Sequence, residues 1–212
     1  MNSKKIIASL LLALILVTGS YYFLDQEIAL FVQKVVLSGK QFSLIAANIP
    51  DTLFTMVFVI TTAAWAVYLH DRYKGVSDNQ TAVSMLVGTS LPVTFFLKSL
   101  LKFVFGGINT RFWLAGHGAR EFRWFHSDEN YSGFPSGHMA VFTVLLLDLW
   151  EYYPRYRSFY MAFLFALALA LILTDYHFLS DIIAGTYLGY IVHYSTRRGL
   201  TVLHGSMPGK TA

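Results

Sequence analysis

The residues able to do chemistry fall in three short stretches. Lys102-Phe103-Val104-Phe105-Gly106-Gly107-Ile108-Asn109-Thr110-Arg111 carries two cations around a flexible glycine pair. Ser132-Gly133-Phe134-Pro135-Ser136-Gly137-His138 sets a histidine just inside a helix start, and His177-Phe178-Leu179-Ser180-Asp181 pairs an imidazole with a carboxylate. At a spacing of i and i+4 two side chains share one helix face, so His177 and Asp181 can meet. A carboxylate held on one ring nitrogen fixes the tautomer and leaves the other nitrogen free as nucleophile or base. Pro135 fixes φ ahead of the helix, and Ser136 and Gly137 leave its first-turn N–H groups uncrowded, which makes an anion site at the positive end of the dipole. Within that turn His138 is placed to protonate the oxygen leaving a bound phosphate. Lys102 as a point charge and Arg111 as a planar fork of donors suit the phosphate oxygens. Each piece alone has a plainer reading: a polar pair at a membrane boundary, a helix cap, a snorkelling lysine. Together they point to phosphoryl transfer through a histidine nucleophile. No carboxylate cluster of the kind Mg²⁺ requires stands with them, so neither metal nor cofactor is expected.

The elements that must position these residues are membrane helices. Of 212 residues, 55% are hydrophobic and 13% charged, against roughly 45–50% and about 25% in soluble domains. The mean hydropathy is +0.51. A polar surface cannot be made from so few charges, and 18 Phe, 13 Tyr and 4 Trp exclude disorder. Without cysteine there is no disulfide, thiolate metal site or Cys nucleophile. A spanning helix needs about 20 apolar residues, and six runs qualify, at about 6–24, 52–70, 81–101, 137–153, 157–174 and 177–195. The first also reads as a secretory signal peptide, but no A-x-A site follows it, and the retained helix is expected. Segment 25–51, where Asp25, Glu27, Lys34 and Lys40 punctuate apolar residues, reads as an amphipathic helix at the interface. The fold expected is an all-α polytopic bundle of six transmembrane helices. It forms one domain over 1–212, with a long outer loop at 102–136 carrying part of the site.

Basic residues orient it. A net charge of +4 and a pI near 9.2 do not signal nucleic acid, because the bases lie in short groups beside apolar runs. With the amino terminus inside, Lys4, Lys5, Arg72, Lys74, Arg155, Arg157, Arg197, Arg198 and Lys210 are cytoplasmic. Lys34, Lys40, Lys98, Lys102, Arg111, Arg120 and Arg123 fall on or near the outer side. The inner bases sit mostly in tight pairs at helix ends, which favours both termini inside and the long loop outside.

The order Lys102…Arg111, then Pro135-Ser136-Gly137-His138, then His177-x-x-x-Asp181 resembles the type-2 phosphatidic acid phosphatase family of integral membrane lipid phosphatases. That family is related to vanadium haloperoxidases and bacterial acid phosphatases. The resemblance implies that His177 is the nucleophile that becomes phosphohistidine, that Asp181 orients it, and that His138 protonates the leaving alcohol. It implies that Lys102, Ser136 and the Gly137 N–H hold phosphate, in a site facing the outer surface at headgroup level. Three departures stand out. Asn109-Thr110 replaces the Arg-Pro normal in the first motif, Gly107 stands where many members carry Arg, and Ala170-Leu171 replaces the Ser-Arg that opens the third. The arginines that usually clamp phosphate are therefore missing from their places, and Arg111 is the best substitute, with Arg120 and Arg123 behind it.

The substrate expected is a lipid phosphate monoester or diphosphate, such as phosphatidylglycerophosphate, phosphatidic acid, undecaprenyl diphosphate or a lipid A phosphate. The protein is expected to be embedded in the bilayer, with the bacterial inner membrane as its home and its site at the membrane–water interface facing the periplasm or exterior. The alternatives are a lipid-phosphate binder that has lost turnover, and a lipid phosphoryl transferase. Asp148 lies near mid-depth of the fourth run and is expected to pair with a neighbouring span, or to sit near the inner surface of a tilted one, rather than to join a polar channel. The loop aromatics Phe112, Trp113, Phe122, Trp124, Phe125, Tyr131 and Phe134 suit either interfacial anchoring or contact with acyl chains, while His117 and His126 read as solvated.

Overall fold

The computed structural model describes residues 3–36, 49–116 and 119–204. The first helix, α1 (Ser3–Gly19), runs through a π-helical turn at Ser20–Leu24 into α2 (Asp25–Phe31) and a second π turn at Val32–Val36. There follow α3 (Ile49–Tyr73), α4 (Asn79–Phe105), the short α5 (Thr110–Leu114), α6 (Gly137–Tyr152), α7 (Arg157–Leu173) and α8 (Leu179–His204). Among the described residues there is no strand, only an isolated bridge between Gly107 and Phe122. The all-α expectation holds.

Each of the six apolar runs is a helix. Four stretches are long and apolar enough to cross a membrane: Lys4–Val36, Thr52–Tyr73, Asn79–Phe105 and Pro154–Leu173. α6 has 16 residues, about 24 Å at the usual rise, and α8 is less uniformly apolar, because these two are the buried centre of the bundle rather than its lipid-facing wall. The first run is longer than the sequence suggested. In place of a separate interfacial helix, residues 25–36 continue α1, and Asp25, read as an interface charge, is 1% exposed. The rest of that expected interfacial segment, 37–48 with Lys40, lies outside the described residues, as does His117.

α4, α6 and α8 pack together at the centre, with α3 against α4, α1 against α8 and α7 against α6. Leu53, Val57, Val87, Leu91, Val141, Val144 and Val192 fill the main core. Outward faces such as Leu11 and Ile15, Phe54 and Phe58, or Phe159 and Phe165 remain exposed, as an acyl environment requires. Asp78 caps α4 by accepting from the Thr81 N–H at 2.9 Å. Gly106 ends the helix in the left-handed conformation, its N–H returning to Lys102 O at 2.9 Å. The helix runs unbroken through Pro92.

Two glycines set the distance between α6 and α8. A Cβ on Gly185 would lie 2.3 Å from Ser136 O, and one on Gly189 would lie 2.5 Å from Ala140 O. Their GxxxG spacing lets the two backbones touch, which brings the N-terminal ends of both helices together. A second link is the Ser136 N–H, which donates to Asp181 O at 3.0 Å.

Candidate active site

All three motif stretches converge at one end of the bundle, where α4 finishes and α6 and α8 begin. Ser136, fully buried, caps α6 through its hydroxyl, which accepts from the Met139 N–H at 3.4 Å. The first-turn N–H groups of Gly137 and His138 have no intrahelical partner by position. The expected sixth segment starts as helix only at Leu179, which leaves His177 in the α7–α8 connection. The His177 Nδ1 stands 3.4 Å from Asp181 Oδ2, and that oxygen also accepts the Phe178 N–H at 3.1 Å. Nδ1 is buried with no hydrogen bond of its own among the described residues. Burial and the charge of Lys102, with a smaller push from Arg111 and against a backbone hydrogen bond with Gly133, hold the His177 imidazole well below its ordinary range, so the ring is neutral.

The His138 and His177 rings are 6.3 Å apart. That figure is the separation of the ring centroids, and it makes the two imidazoles direct neighbours where α6 and α8 begin. Tyr176 walls the gap, its ring 5.4 Å from that of His138 and 5.0 Å from that of His177.

The loop arginines part company. Arg111 donates from Nε and Nη2 to Thr174 O at 3.2 and 2.8 Å, and its guanidinium lies 5.2 Å from the Tyr176 ring centroid. It therefore stands beside the His177 loop with donors to spare. Arg120 is sequestered: it pairs with Asp25, bonds Ser180 Oγ at 3.1 Å and donates to Tyr21 O at 2.8 Å. Arg123 is exposed, bonded to Glu121 at 3.1 Å and stacked 3.9 Å over Tyr131. Lys102 donates to Ser132 O at 2.6 Å. Its charge acts on His138, His177 and Asp181.

Four neighbours went unnoticed in the sequence as site residues. Lys98 lies one turn before Lys102, and its Cδ would be 3.2 Å from a Cβ on Gly137, across the open first turn of α6. The i, i+4 spacing of the two lysines was a sufficient signal. No ion pair among the described residues engages Lys98, whose ammonium lies 3.9 Å from the Phe95 ring centroid. Tyr176 and Asp175 precede His177 directly. Burial pushes the Asp175 carboxyl up to about 6, against the pull of Arg111. Asp25 had no local signal at all.

The aromatic loop folds on itself. Phe105, Phe122, Trp124 and Phe134 contact one another at 5.2–6.2 Å, Tyr21 stacks on Phe122 at 5.3 Å, and only Trp124 and Phe125 are well exposed. His126 is half-buried, 5.5 Å from the Tyr131 ring, rather than solvated. At the far end of the bundle Asp148 pairs, as expected, with neighbouring spans: His193 Nδ1 at 2.6 Å and the Ser90 hydroxyl.

A bundle with four stretches of spanning length among its described residues thus gathers two histidines, an aspartate and a set of cations at one end. A sequence model described as the PAP2 superfamily matches residues 82–202, more than half of the chain, and the chain belongs to that family. Membership supports a phosphatase-type activity. No curated protein and no solved structure matches the chain.

Proposed function

We propose that the protein is an integral membrane lipid phosphatase, one six-helix domain whose site opens outward at headgroup level. The observation that carries this is the 6.3 Å separation of two imidazoles at the joined starts of α6 and α8, with Asp181 behind one of them. The Asp181 carboxylate faces Nδ1 of His177 and leaves Nε2 to attack. The Nε2 lone pair forms the P–N bond as the bond from phosphorus to the leaving oxygen breaks. His138, which takes up a proton as the anionic phosphate binds beside it, gives that proton to this oxygen. A water then attacks phosphorus, losing its proton to His138, and the P–N bond breaks to release phosphate and restore His177. Lys102, Lys98, Arg111 and the first-turn N–H groups of α6, capped by Ser136, balance the charge on the three equatorial oxygens, so the reaction needs no metal.

The substrate is an amphipathic phosphate monoester or diphosphate. The site's depth and the exposed Trp124 and Phe125 suit a molecule whose tail stays in the bilayer. The bias of paired bases toward the opposite ends supports an outward site, periplasmic in a bacterial inner membrane. The test is phosphate release by purified protein from a panel of lipid phosphates, with orthovanadate as inhibitor. Turnover that vanadate blocks, and a phosphohistidine trapped by rapid acid-free quenching, are expected. Tight vanadate binding without phosphate release from any lipid would leave a binder, and transfer to an added acceptor lipid would leave a transferase.

A further inference from the structure

We infer that Asp25 and Arg120 form a positioning couple for this reaction, through which the N-terminal helix holds the start of α8 and the His177–Asp181 pair in working geometry. The inference rests on the phosphatase reading. Asp25 lies outside residues 82–202, in a helix the family match does not reach. The carboxylate is 1% exposed and both its oxygens are engaged. Oδ1 accepts the Ser180 N–H at 2.9 Å, and Oδ2 accepts the Ser180 hydroxyl and the Arg120 Nη2. Asp25 therefore caps the first turn of α8 from another helix, doing for α8 what Ser136 does for α6 from within.

Arg120 completes the clamp from the opposite side. Its guanidinium lies 4.3 Å from the Phe178 ring centroid and 3.8 Å from that of Tyr21. Tyr21 in turn donates its hydroxyl to Arg120 O at 2.9 Å. Phe178 and Ser180 alternate with His177, Leu179 and Asp181, so the couple grips the same five-residue segment that carries the nucleophile. The Arg120 Nη1 and Nη2 donors are taken up by Tyr21 O, by Asp25 and by Ser180 Oγ. Its charge does act on Asp181. It is thus a positioning residue, and its effect on phosphate passes through Asp181 and His177. The π turn at Ser20–Leu24 immediately precedes Asp25. Such a turn shifts the helical register by one residue and is frequent at functional sites. A buried ion pair is weak evidence of stability, because desolvating both charges offsets their attraction. That makes the geometry it imposes the better account of its presence.

The experiment uses the full chain in nanodiscs, with Asp25→Asn, Arg120→Gln, Arg120→Lys and the milder Ser180→Ala. Each variant is measured for kcat and KM on phosphatidic acid and for inhibition by orthovanadate. A misplaced nucleophile loses rate without losing the anion site. Asp25→Asn should lower kcat about 10–100-fold and Ser180→Ala roughly 3–10-fold, with KM and vanadate inhibition within about two-fold. Arg120→Lys should retain more kcat than Arg120→Gln. Unchanged kcat in Asp25→Asn, or kcat, KM and vanadate affinity degraded together in Ser180→Ala, overturns the inference. Should the charge variants fail to fold, Ser180→Ala alone decides it. Wild-type protein that neither releases phosphate nor binds vanadate ends the phosphatase reading and this inference with it, whereas active wild type with an equally active Asp25→Asn ends only the inference.

Discussion

Two histidine–aspartate pairs sit at opposite ends of the α6–α8 seam and differ in what is left unsatisfied. His193 and Asp148 meet at 2.6 Å across the two helices, and Asp148 also takes the Ser90 hydroxyl of α4. Both residues are buried. One turn further, Arg197 and Glu151 pair at 2.9 Å. Every partner there is protein, and the cluster joins three helices. His177 and Asp181 stand 3.4 Å apart, and the buried Nδ1 has no hydrogen bond among the described residues. The charges of Lys102 and Arg111 act on His177, and Asp175 as well as Asp181 stands among them. Polar groups buried in a bundle are normally satisfied, and a satisfied network fixes packing. An unsatisfied one with excess positive charge is a site waiting for an anion. On the phosphatase reading, the same residue types serve structure at one end and chemistry at the other.

The sharpest break of that comparison is a pair of histidine deletions. His177→Ala should lower phosphate release at least about 10³-fold, since a nucleophile has no substitute. Its thermal unfolding should stay close to that of wild type. His193→Ala should do the reverse: kcat within a few-fold, but a loss of about 3–5 kcal/mol of stability from the unpaired carboxylate left behind. A folded His193→Ala protein without turnover would join the two ends and dissolve the distinction.

Next in size is the seam itself. A Cβ on Gly185 meets Ser136 O at 2.3 Å, whereas one on Gly199 meets nothing within 4 Å. Gly185→Ala should push α8 away from the α6 cap, costing about 1–3 kcal/mol of stability. The same displacement, of the order of 1 Å, should cost about 10²-fold in kcat. Gly199→Ala should leave both unchanged. Equal behaviour of the two variants, measured by turnover and melting temperature, would show that close approach does not set the site.

Smaller still is the cation set. Arg111→Ala should lower kcat/KM about 10–100-fold and Lys98→Gln about 10-fold, as expected for single charge-assisted donors to phosphate. Arg123→Ala, which removes the exposed pair with Glu121 and the stacking over Tyr131, should stay within about two-fold. A silent Arg111→Ala beside a damaging Arg123→Ala would reassign the clamp.

What could be read in the sequence follows from how local each interaction is. His177–Asp181, the Ser136 cap and the approximate helix limits depend on residues within a few positions of one another, and the pair does meet, although His177 lies in the connection before α8 rather than on the helix face that its spacing implied. Lys98 was equally legible, four residues from Lys102. Asp25 was not, because its partners are 155 and 95 positions away. Read locally, an aspartate in an apolar run signals an interface, and only Arg120 returning from the loop makes its burial affordable. The choice among Arg111, Arg120 and Arg123 was likewise undecidable from spacing, since the loop's path across the bundle end determines which guanidinium faces His177.

The gentlest probe concerns Asp175, whose carboxyl is pushed up to about 6 by burial while Arg111 draws it down. One of its oxygens, Oδ1, is buried without a partner among the described residues. Because the folded protein binds this proton more tightly than the unfolded chain, whose carboxyl titrates near 3.8, the stability it confers is full below that value. Stability then declines as pH rises to about 6 and is flat above. The same ionisation sets a negative charge beside Arg111 and competes with bound phosphate. Between pH 5 and 7 vanadate should therefore lose roughly two- to five-fold more affinity for the wild type than for Asp175→Asn. The variant, unable to ionise, should also lack the stability decline between about pH 4 and 6. Superimposable vanadate profiles would place Asp175 outside the field of the clamp, and leave Arg111 to face the anion with its charge unopposed at every pH.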